Sequence, residues 1–112
     1  MKGIGGNIKG VIQTRTVTIS DFGEGIPTWT DAQTLKGWLD LSGGSSGYTA
    51  YSAKVQESTH VFLCDYVALA AGIQAENSRM TIGGKVYDVM LIDDPMEMHQ
   101  QLEIYLKYTG GG

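Results

Sequence analysis

The sequence predicts an all-β protein, a small antiparallel barrel or sandwich, on three observations. Stretches of β-branched or alternating residues recur about six times along the chain, clusters of Gly, Pro and Asp stand between them, and no long amphipathic helix interrupts the series. Chains of this kind tend to close on themselves, because closure removes exposed strand edges. The 112 residues suit one domain, and the 26 Leu, Ile, Val and Phe residues suffice for a modest core.

Gly10–Ser20 opens the fold with Val11, Ile12, Thr14, Thr16, Val17, Thr18 and Ile19, whose stiff side chains favour a strand. Asp21–Pro27 (DFGEGIP) reads as a reversal and Trp29 as the start of the return. Thr34–Leu41 is the second strand, with Leu35, Gly37, Leu39 and Leu41 on one face. Ser42–Gly47 (SGGSSG) offers no burial to offset chain entropy, and it runs on through Tyr48–Lys54 without a period. That is one long flexible loop, a feature more often functional than idle.

Thr59–Tyr66 (THVFLCDY) predicts a central strand covered on both sides, with Val61 and Leu63 facing one way and His60, Phe62, Cys64 and Tyr66 the other. Val67–Ala71 reads as a connection. Arg79–Ile82, Gly83-Gly84 and Lys85–Ile92 predict a hairpin, since a Gly-Gly pair permits the positive φ angles of a two-residue turn. Asp93-Asp94-Pro95 ends that strand. Gln101–Tyr108 then alternates Leu102, Ile104, Leu106 and Tyr108 with polar or larger residues, so one face is buried and one is wet. The predicted organisation is a flexible N-terminal extension over 1–10, a β-domain over 11–108 and a flexible tail over 109–112, the ends being glycine-rich.

Net charge is −4, and from Glu57 to Glu103 eight acids face only Arg79 and Lys85, which argues against a free protein that grips nucleic acid through a basic face. Tyr48, Tyr51, Tyr87, Tyr105 and Tyr108 are the candidate base-stacking residues for a rival reading, a barrel-type module that binds nucleic acid or a small ligand. No basic cluster accompanies them. No apolar run predicts a membrane span, Met1–Arg15 holds no secretory apolar stretch, and the single Cys64 predicts a reducing compartment.

The carboxylates Asp88, Asp93, Asp94 and Glu97 with His99 form the best candidate for a metal or catalytic group, yet their spacing fits a turn in which aspartates bond backbone N–H groups. Cys64 and His60 share a strand face about 13 Å apart at ~3.3 Å per residue, too far for a nucleophile and its base. The sequence predicts no catalytic, cofactor or metal site and no enzyme.

The order VIQTRTVTIS, a Gly-rich turn, TWTDAQTLKGWLDL, a long loop, THVFLCDY, RMTIGGKVYDVMLIDDP and a closing strand LEIYLKY resembles the head-closure proteins of long-tailed bacteriophages, also called head-tail joining or stopper proteins. The resemblance spans Val11 to Tyr108. It implies a small antiparallel β-barrel of about six strands that acts as a structural ring, sixfold or twelvefold, beneath the portal and adaptor proteins. That ring closes the DNA channel after packaging and gives the tail a docking surface. It further implies a gating loop here made of Ser42, Gly43, Gly44, Ser45, Ser46, Gly47, Tyr48, Thr49, Ala50, Tyr51, Ser52, Ala53 and Lys54. The implied partners are copies of the chain, the adaptor and portal, a tail-completion or terminator protein and, transiently, double-stranded DNA. The implied location is the head-tail interface of the virion, with the host cytoplasm during assembly. A tail-completion or adaptor ring of the same neck is the neighbouring alternative.

Overall fold

The computed structural model describes residues 6–41 and 57–111. Six antiparallel strands, β1 (Ile8–Ile19), β2 (Gly25–Leu41), β3 (His60–Asp65), β4 (Ser78–Ile82), β5 (Lys85–Asp93) and β6 (Gln101–Gly111), close into a barrel in the order β1-β2-β3-β6-β5-β4. The all-β barrel expected from the sequence is therefore the fold. Two short 3-10 turns, Ala75–Asn77 and Pro95–Glu97, lie in connections.

The interior is built from alternate residues of each strand. Ile12, Phe62, Met80, Ile104 and Leu106 are fully buried, joined by Leu35, Cys64, Tyr87, Val89 and Leu102. Each large apolar side chain so buried contributes about 1.5–3 kcal/mol against its exposed state. Two interior positions are glycines for reasons of space. A Cβ on Gly10 would come within 2.8 Å of the Met80 sulfur, and one on Gly37 would overlap the Leu63 carbonyl and lie 2.9 Å from the Cys64 Cβ. The barrel wall is drawn in at these points.

The β4–β5 hairpin is the one the sequence predicts. Gly83 (φ 59°) and Gly84 (φ 82°) supply its turn. β6 alternates as expected, with Leu102, Ile104 and Leu106 inside and Tyr108 at the partly exposed end. β3 lies between β2 and β6, but only its Phe62 and Cys64 face is buried. Val61 and Leu63 are half-buried on the outer wall, where register places them beside Trp38 and Tyr105 rather than beneath a second layer. The expected covering on both sides is therefore neighbourly contact within one sheet.

The largest departure from expectation is the length of the first two strands. β1 begins at Ile8 and β2 at Gly25, so the reversal is only Ser20–Glu24, with Ser20 N–H bonding the Glu24 carbonyl at 2.8 Å and Gly23 N–H the Ser20 carbonyl at 2.9 Å. The Ser20 hydroxyl accepts from the N–H groups of Phe22 and Glu24. Pro27 stays in a strand because that part of β2 is paired on one side alone. β4 meets β1 only from Val11 to Thr14, and β3 meets β2 only from Trp38 to Leu41. Beyond these contacts β1 and β2 continue as a two-stranded ribbon, in a molecule measuring 53 × 29 × 27 Å.

A Gly37→Ala substitution is expected to destabilise the barrel by about 1–3 kcal/mol or more, because the wall must move off a backbone carbonyl. Urea unfolding of the two proteins measures it, and an unchanged midpoint would contradict the packing described.

Candidate functional site

Register defines two ends of the barrel. At one end lie the β4–β5 turn, the end of β6 opposite Lys85, and the Leu41–His60 pair from which the β2–β3 loop leaves. At the other lie the ribbon and the connections β3–β4 and β5–β6. The candidate gating residues 42–54 lie outside the described residues, but their anchors are fixed. Thr59 N–H bonds the Leu106 carbonyl at 2.8 Å, and the Thr59 hydroxyl accepts from Tyr108 N–H at 2.8 Å while reaching the His60 ring at 2.8 Å. His60 stands edge-on to Tyr87 at 5.2 Å, and Tyr87 packs against Tyr108 at 5.4 Å. This aromatic group plugs the loop end.

Of the tyrosines weighed as base-stacking residues, Tyr48 and Tyr51 lie outside the described residues and Tyr108 is 40% exposed. Tyr87 is 3% exposed, and the Tyr105 hydroxyl donates to the Glu103 carboxylate at 2.9 Å. The carboxylates are dispersed: Asp88 is an exposed strand residue, whereas Asp94 accepts from His99 N–H at 3.0 Å and pairs with the His99 ring. Glu97 N–H bonds the Asp94 carbonyl at 2.8 Å, so D-D-P is a turn as its composition predicts. Among the described residues, no group of three or more His, Cys, Asp or Glu is placed to hold a metal ion. Cys64 is 2% exposed, and burial, followed by the negative charge of Asp65, pushes its thiol from an ordinary 9.0 up to about 11. It is a protonated packing residue at neutral pH.

The ribbon end carries groups the sequence reading did not bring together. Gln33 clamps the β3–β4 connection, donating to the Ala68 carbonyl at 3.2 Å and accepting from Ala70 N–H at 2.7 Å. This brings an apolar connection back across the barrel mouth, where Leu69 and Ile73 pack on the core. On the outer wall Arg79 donates to Gln13 at 2.7 Å, Gln13 donates to Asp31 at 2.8 Å, and the Arg79 guanidinium lies 4.3 Å from the centre of the Trp29 ring. These contacts fix the ribbon base to β4. An open cleft of about 310 Å³ beside it is lined by Arg15, Trp29, Ala75, Glu76, Ser78, Asp88, Val89 and Met90. Both charge signs meet there, and nothing in the lining forms a nucleophile and base.

The described residues thus form a closed six-stranded barrel with a two-stranded ribbon at one end. Residues 6–107 match the sequence model of the phage head completion protein family, and the chain belongs to that family. Its role is accordingly structural, in the head-tail neck of a phage particle, where it interacts with other head or tail proteins. The fold is similar to the solution structure of protein SF1141 from Shigella flexneri 2a, at 21% identity and a TM-score of 0.65 over 97% of each chain. No curated protein matches the sequence. No helix among the described residues is long and apolar enough to cross a membrane.

Two measurements check the assignment of Cys64. Iodoacetamide should label it at pH 8 only after unfolding, so rapid labelling of the native chain would contradict a packed thiol. Because its folded pKa is raised, its contribution to stability is intact below about pH 9 and is lost as pH rises towards 11. Wild type minus Cys64→Ala should show that loss in paired denaturation curves.

Proposed function

We propose that the chain forms a ring, sixfold or twelvefold, beneath the portal and adaptor of a filled head, closes the DNA channel there and gives the tail its docking surface. The segment Ser42–Gln56 is the gate. The observation that carries this reading is how the described residues on either side of the segment are held. Its anchors, Leu41 and His60, are directly opposed across β2 and β3, and Thr59 is tied to Leu106 and Tyr108 of β6 by hydrogen bonds. A segment so mounted changes shape without breaking the barrel.

Charge supports the same reading. A net charge of −4 suits a wall that DNA must pass without being held. The proposed contacts are therefore mainly protein: copies of the chain, the adaptor and portal on one side, and a tail-completion or terminator protein on the other. Contact with double-stranded DNA is transient, and the ring carries out no chemistry.

Replacing 42–56 by a short turn tests the gate. Opposed strand ends need only a 2–5-residue connection, and a shorter loop costs less closure entropy, so the barrel should keep its thermal transition. In a complemented defective phage, the shortened chain should give packaged heads that lose DNA on mild heating. Tyr48→Ser with Tyr51→Ser in the full-length chain should weaken retention more than either alone. Normal retention by the shortened chain would remove the gate role and leave the neck role standing.

A further inference from the structure

We infer that the outer face of the ribbon is a docking surface for a different protein, one that presents an apolar groove with a basic rim. Directly opposed residues of an antiparallel pair share a face. Gln13 and Asp31, Arg15 and Trp29, Val17 and Pro27, and Ile19 and Gly25 therefore line one side, and Thr14, Thr30, Thr16, Thr28, Thr18 and Ile26 the other. The first side continues the outer wall of the barrel, which is where polar residues belong. It is instead apolar from Trp29 outwards, with Val17 57% exposed, Ile19 71% exposed and Phe22 at the tip 91% exposed.

Stability points to a partner as well. From Arg15 to the turn, β1 pairs only with β2, and two strands without a third or a packed layer are marginal in water. The Thr16 and Thr18 hydroxyls bond the Thr28 and Ile26 carbonyls at 3.5 and 3.4 Å, and such contacts support the ribbon without covering its other side. Five residues per strand, Arg15–Ile19 and Gly25–Trp29, at ~3.3 Å each carry the tip about 16 Å from its base, beyond the reach of its own core.

Charge selects the kind of partner. At the ribbon base Arg15 faces Trp29 and Arg79 stacks on it, but outward of them the ribbon and its turn carry Asp21 and Glu24 and no Lys or Arg. A second copy, itself at −4 and without a basic cluster, complements that surface poorly. A groove that seats Val17, Ile19 and Phe22 and places Lys or Arg beside Asp21 and Glu24 complements it well. The inference rests on the neck role for the place where that partner is met, and not on the gate.

The test uses heads isolated from a phage lacking the chain. Purified protein with Phe22→Cys carrying a benzophenone, Cys64 being buried, is bound to these heads and irradiated. The expected product joins position 22 to a different polypeptide, at a peptide where apolar residues neighbour Lys or Arg. Ile19→Ser with Phe22→Ser should lower head binding about tenfold or more while the thermal transition stays in place. Asp21→Lys with Glu24→Lys should also lower it. The loop-shortened chain should bind as wild type does. A product of two copies of this chain, or undiminished binding by the Ile19→Ser, Phe22→Ser variant, would overturn the inference while the neck role stands. Failure of the wild-type chain to bind heads would overturn both.

Discussion

The shape of the molecule depends on the length of β4. Five residues long, β4 closes the barrel by pairing with Val11–Thr14 of β1 and has nothing to offer the five residues that follow. β2, at 17 residues, is held by β3 over four of them. The body is therefore a short barrel, and the surplus of β1 and β2 leaves it as a ribbon. An extra residue on β2, Ala32, stands between the Ile12–Gln33 and Gln13–Asp31 pairs. Such a bulge bends and twists the strand. It also restores matched faces, so that Asp31 meets Gln13 on the outer wall and the Asp31–Gln13–Arg79 chain of hydrogen bonds becomes possible.

Closure then divides the work between two ends. At the loop end, Thr59, His60, Tyr87 and Tyr108 finish the core with contacts among themselves and with β6. At the ribbon end, Gln33, Leu69 and Ile73 close the barrel mouth. The described contacts complete the core at each end, and the ribbon projects beyond them. Such a body suits a neck component that interacts with other head or tail proteins.

Much of this was legible in the sequence where a local pattern has a single reading. The Gly83-Gly84 turn, the alternation of β6 and the role of Asp94 in a turn all follow from residues close together in the chain. The ribbon was not legible, because Thr16, Val17, Thr18 and Ile19 have the same composition whether the strand has one neighbour or two. DFGEGIP contains two glycines and a proline, so it suggested a wider reversal than the Ser20–Glu24 turn that formed. The Arg79–Gln13–Asp31 network joins residues 66 and 18 positions apart, and no spacing rule anticipates it. The loop was marked by composition and by family resemblance, and its anchors emerged only from the pairing of β3 with β6.

The central claim is that the two ends of one barrel serve different surfaces of the neck, and electron cryomicroscopy of the neck in a filled particle tests it most directly. The account predicts a ring of these barrels with residues 42–56 directed into the DNA channel and the ribbon seated on another protein. Rings with the ribbon lining the channel and the loop end turned outwards, or a neck that lacks the chain altogether, would contradict it.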